Sequence, residues 1–122
     1  VAENKILDLN RQLLGYKLGE LNATKGGMDV LAERARHSSE EGITDDHDDM
    51  HEDFALTSAA IAYLSDARLR GLGVHHSTTP PDWPAKLGAF KPKPSIRDML
   101  VIAASFAIAD IDRLDRKGLG KV

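Results

Sequence analysis

The chain contains no cysteine, so disulfides, thiolate metal centres and cysteine nucleophiles are all excluded. Aromatic residues are few, with three Phe, two Tyr and a single Trp83 among 122 residues. Proline is missing from most of the sequence, because all five prolines fall between Pro80 and Pro94. Long apolar runs are missing too. The longest nearly apolar stretch, residues 99–109, is well short of the ~18 apolar residues that a membrane span requires, so no membrane partner is expected. No N-terminal segment carries the basic, apolar and small-residue order of an export signal, and a cytoplasmic protein is the expectation. There is also no Gly-rich phosphate loop, nucleophile elbow, paired-carboxylate glycosidase pattern or internal repeat.

What remains is an ordinary globular composition, 42% hydrophobic and 29% charged, of a length suited to one domain with a real core. The formal net charge of −3 is unevenly spread. Residues 40–53, EEGITDDHDDMHED, hold eight carboxylates and two imidazoles with no Lys or Arg. Setting those eight aside leaves 11 acids against 16 bases. The molecule reads as a mildly basic body with one acidic focus. Neither part has the clustered Lys/Arg face that nucleic-acid binding demands.

Hydrophobic spacing predicts an all-α fold. Ile6, Leu9, Leu13, Leu14, Leu18 and Leu21 recur at helical intervals over 3–22, with Gly15 and Gly19 sharing one face, and TKGG is expected to break the chain. A second, shorter helix is expected over 28–41, ended by Gly42. The third runs from about 49 to 70, where Phe54, Leu56, Ile61, Tyr63 and Leu64 stand among alanines, and GLG stops it. The prolines then make 74–94 an ordered loop rather than a helix, with Trp83, Leu87 and Phe90 expected to pin it to the core. Ser95 caps a last helix to about 116, with Asp98 in capping-box position. That helix is apolar nearly all round and should be central. The expected architecture is a single four-helix-bundle-like domain with a long Pro/Trp loop before the last helix. Its apolar last helix and the Gly15/Gly19 face predict a homodimer or higher oligomer.

The acidic focus offers two readings. Carboxylates with water and substrate phosphates suit Mg²⁺, and imidazole shifts the preference toward Mn²⁺, Fe²⁺ or Zn²⁺. Asp48 and His51 are three apart, while Asp48/Glu52 and His47/His51 are four apart, so each pair can share a helical face. Glu33, His37 and Glu40 line up similarly on the preceding helix. A turn of about ten residues would bring the two faces together. Against this, Asp49 with Glu52 makes an ordinary helix cap. Neither an EF-hand nor a zinc-protease signature is present. Asp110, directly after the apolar run, is the other outlier: an unpaired buried carboxylate is costly, and Arg113 is its nearest structural partner. His75 and His76 read as exposed loop residues.

Taken together, ERARHSSEEGITDDHDDMH (33–51), ALTSAAIAYL, the PPDWP…FKPKP segment and AIADIDRLDR resemble a family of small phage and prophage proteins. Their pattern is ERxRQ, a spacer ending in EGxT, EHDDxH, an alanine-rich helix, a WP-containing loop and AEIERLDR. The resemblance covers about residues 33–116. His37 stands where the family has Gln, which argues against an essential ligand there, and Asp46 stands where it has Glu. The architecture is similar, at the level of fold analogy, to all-α nucleoside triphosphate pyrophosphohydrolases of the MazG type. The resemblance implies a metal-dependent nucleotide pyrophosphohydrolase, with Mg²⁺ (or Mn²⁺) held by Glu33, Asp48, His51 and Asp110. Glu33 and Asp48 would be catalytic, and Arg36, His47 and Trp83 would bind the nucleotide. Arg36 and Arg113 stand where the MazG motif has acids. The alternative is a non-enzymatic phage accessory or inhibitor protein whose acidic patch binds a host partner. A further reading is a helical oligomeric module whose acids merely cap and solubilise.

Overall fold

The structure, a computed structural model, describes residues 24–40, 54–74 and 79–118. The expected helix over 3–22 and the acidic segment 41–53 lie outside the described residues. Within them the fold is all-α: α1 (Lys25–Glu40), α2 (Ala55–Gly71) and α3 (Ile96–Arg116), with one 3₁₀ turn at Ala85–Leu87. No strand occurs among the described residues.

Each helix end has a local cause. TKGG, expected to break the chain, instead starts α1. Thr24 Oγ1 accepts from Gly27 N at 3.1 Å, an amide that a helix start leaves orphaned, and Thr24 O accepts the first intrahelical bond, from Met28 N at 3.1 Å. The helix expected from about 49 begins at Ala55, because Phe54 adopts a left-handed conformation at φ 60°. Its other end is a Schellman closure around Gly73 at φ 79°. Val74 N donates to Leu69 O at 2.8 Å and Gly73 N to Arg70 O at 3.0 Å, the paired bonds of that motif. Ser95 caps α3 as its spacing predicts, accepting from Asp98 N at 3.0 Å.

α3 is the central element, in contact with both other helices. Its buried face, including Met99, Ile102, Ala103, Phe106 and Ala109, meets Leu56, Ala59, Ala60, Tyr63 and Ala67 of α2. Small residues on both helices allow the axes to approach closely, which is what the alanine-rich composition is for. Thr57 of α2 bonds Asp110 of α3, and Arg70 reaches Lys93 just before α3, so these helices are antiparallel. α1 runs parallel to α3, since Asp29 pairs with Arg97 at 2.8 Å and His37 packs on Phe106 at 5.2 Å.

Trp83, Leu87 and Phe90 pack against this core. Trp83 meets Phe90, Tyr63 and Phe106 at ring separations of 5.3, 5.7 and 6.2 Å. It is half-buried, with its indole N–H spent on Gly88 O at 2.9 Å. The segment is also tied down through its backbone: Tyr63 OH donates to Lys91 O at 3.0 Å, and Arg70 Nη1 donates to Lys93 O.

Candidate functional site

α1, α2, α3 and residues 83–93 enclose a cleft of about 180 Å³. Tyr63, Trp83 and Phe106 supply aromatic surface, and Arg36, His37, Lys91 and Lys93 supply basic groups. A second hollow of about 250 Å³, lined by Glu33, Arg36, Lys93, Asp98, Val101 and Ile102, shares Arg36, Lys93 and Ile102 with the first. Each hollow is smaller than the ~300–1,000 Å³ of a usual ligand pocket. Together they form a two-part groove: an aromatic end, a polar end, and two cations between them.

Glu33 is held within its own helix. Its Oε1 accepts from Arg36 Nη2 at 2.6 Å and lies 3.0 Å from His37 Nε2, while Oε2 accepts from Arg36 Nε at 3.0 Å. The i+3 and i+4 spacing makes this possible. The side chain is only 16% exposed, so the pairing is worth more than a surface ion pair. His37 is buried, with its ring against Phe106.

Asp110 is committed elsewhere. Its Oδ2 accepts from Thr57 N at 3.1 Å and from Thr57 Oγ1, and its Oδ1 accepts from Arg113 Nε at 2.6 Å. Thr57 is the third residue of α2, and Phe54 at the N-cap offers no side-chain acceptor. The carboxylate from α3 therefore caps α2 from outside, where both the orphan amides and the helix dipole favour an anion. The guanidinium of Arg113 completes the cluster, buried to 2% exposure and lying 5.2 Å from the centroid of the Phe54 ring.

The register of α1 on α3 places Glu33 level with Val101 and Ile102, which line the same hollow. Asp110 is two turns further along α3, roughly 12 Å at 1.5 Å per residue. The two acids do not share one coordination sphere. Asp48, His51 and His47 lie outside the described residues, and no group of three metal-ligating side chains occurs among the described ones. Of the expected site residues, Glu33, Arg36 and Trp83 are thus brought to one groove, and Asp110 is separate.

No family model matches this chain, and neither does any curated protein or solved structure. No helix among the described residues is long and apolar enough to cross a membrane.

Sequence reasoning overlooked Tyr63, Phe106, Lys91 and Lys93 as groove residues. Tyr63 and Phe106 look like core positions from spacing alone. The two lysines alternate with prolines in KPKP, a rigid presentation of positive charge that was the available signal.

Proposed function

We propose that the chain binds a nucleotide in this groove and acts as a phage-type nucleotide pyrophosphohydrolase. The observation that carries the reading is the pairing of an aromatic hollow with a polar one across Arg36 and Lys93. A nucleotide has that division: a flat base that favours aromatic contact and a phosphate chain that favours guanidinium and ammonium donors. The base would lie toward Trp83 and Tyr63, with the phosphates at Arg36 and Lys93. Glu33 stands at the polar end, where its two hydrogen bonds orient the Arg36 guanidinium.

A bound Mg²⁺ or Mn²⁺ would supply phosphate-charge neutralisation and an activated water. The proposed ligands are Glu33 with Asp48 and His51. Asp110 drops out of that set, because its carboxylate caps α2 from a different level. Glu33 would have to exchange a bond from Arg36 or His37 for the ion.

The second reading, a non-enzymatic accessory protein that engages a basic host partner through the acidic segment, draws support from one observation: both described candidate acids are already neutralised inside the molecule. Titration with deoxynucleoside and ribonucleoside triphosphates, followed by Trp83 fluorescence and by pyrophosphate release with Mg²⁺ or Mn²⁺, separates the two. The expected result is saturable quenching with release, and at least tenfold weaker binding in Lys93→Ala. Quenching without release would leave a nucleotide-binding protein. Neither signal at millimolar nucleotide rejects the groove as a nucleotide site and favours the accessory reading.

A further inference from the structure

Among the described residues, the face that α2 and α3 turn away from the groove is apolar and uncovered. On α3, Leu100, Ala104, Ala107 and Ile111 follow one another at spacings of four, three and four, a single stripe. On α2, Ile61 and Leu64 continue the row that begins at Thr57. The bond from Thr57 to Asp110, next to Ile111, sets the two rows side by side. Ile61, Leu64, Leu100 and Ile111 are between 43% and 56% exposed, and Ala107 is exposed as well. An isolated exposed leucine needs no explanation, but two adjoining rows of this kind mark a contact surface.

Charge at the ends of the face identifies the occupant. Arg68 extends the α2 row one turn beyond Leu64, and Asp115 lies one turn beyond Ile111 on α3. Both are exposed, and neither side chain has an ion-pair partner among the described residues. Because α2 and α3 are antiparallel, with Thr57 level with Asp110, Arg68 falls level with Met99, at the opposite end of the face from Asp115. The face therefore carries a cation at one end, an anion at the other and apolar residues between. Midway between the two charges lies the level of Ala107 and Ile61. A two-fold axis through that point sets each Arg68 opposite the partner's Asp115 and stacks the apolar rows on themselves. A self-complementary patch of this kind is what an isologous dimer interface requires.

We propose that this face docks a second copy of the chain, giving a two-fold dimer centred on Ile61 and Ala107. The nucleotide groove is not part of it, so the proposal stands or falls separately from that function.

The test is sedimentation equilibrium of the full chain and its variants from 1 to 100 µM, with helical circular dichroism as the control for folding. The wild type should dimerise in that range. Ile61→Glu, at the centre, should leave only monomer. Arg68→Asp and Asp115→Arg should each weaken the dimer about tenfold or more, since every reversal creates two like-charge contacts across the axis. The combined R68D/D115R chain should recover most of the lost affinity, which a general loss of stability cannot produce. A wild type that stays monomeric to 100 µM overturns the proposal, including the case in which another segment of the same chain covers the face. A dimer indifferent to Ile61→Glu and to both reversals overturns it equally, because the interface then lies elsewhere.

Discussion

Asp110 shows how a residue that looks functional in a sequence can have a part in holding the fold. A carboxylate directly after an apolar run invites a search for a metal or a substrate. Its actual partners are two donors of Thr57 and the guanidinium of Arg113, and it serves as the cap that α2 does not possess locally. Removing one partner of a buried ion pair leaves the other charge uncompensated, a loss of about 3–5 kcal/mol. Asp110→Ala should therefore destabilise the protein by roughly that amount in urea denaturation, because Arg113 keeps its burial and loses its carboxylate. Arg113→Met should cost less, since Thr57 still satisfies the carboxylate and Met fills much of the guanidinium's space. The double substitution should cost less than the sum of the two single losses. Strict additivity would mean that the two side chains do not act as a pair.

At the scale of elements, the sequence was most legible where periodicity and a local cap agree. The last helix is expected over 95–116 and found at Ile96–Arg116, because Ser95 and its apolar stripe both report the same element. It was least legible where a conformation depends on distant groups. The α2 start at Ala55 rests on the left-handed Phe54 and on an acid from another helix, neither of which propensity encodes. TKGG misled for the opposite reason, since its glycines suggest a break while its threonine supplies a cap. The groove was legible only in part: Arg36 and Trp83 stand out by type, whereas Tyr63 and Phe106 need the packing to show their second role. α1 itself is fastened to α3 partly by Asp29, whose carboxyl lies below its ordinary value. The hydrogen bond from Arg97 is the main cause, with Lys25 assisting and desolvation opposing. A depressed folded-state value means that this contribution is present above the ordinary carboxylate range and fades as pH falls through the folded value. Arg97→Ala should move the Asp29 titration, followed by carboxyl NMR, upward toward the ordinary value. It should also speed amide exchange in the first turns of α1. An unmoved titration would mean that Arg97 does not set the charge state of Asp29.

For the whole molecule, the distribution of charge matters more than its sum. Eight acids fall within 40–53, while the described groove is basic, with Arg36, Lys91 and Lys93 along it. If the acidic segment completes a metal site at Glu33, the ion lowers repulsion among like charges and binds the native chain alone. Such binding stabilises by RT ln(1 + [L]/Kd), about 2.7 kcal/mol at a hundredfold excess over Kd. For a chain of this length that is an increase of about 10 °C in Tm. Millimolar Mn²⁺ or Mg²⁺ should give it, beyond the effect of NaCl at matched ionic strength. Asp48→Asn, His51→Ala and Glu33→Gln should each remove most of the increment. Glu33→Gln should in addition lower the metal-free Tm, because it also weakens the bonds to Arg36 and His37. Asp49→Asn should keep the increment, as Asn caps a helix about as well as Asp. Asp110→Asn should keep it as well, whatever it does to the starting Tm, because its carboxylate stands two turns from Glu33. An increment no larger than that of matched salt, or one lost with Asp110 but not with Asp48, would remove the metal from this end of the groove and the pyrophosphohydrolase reading with it.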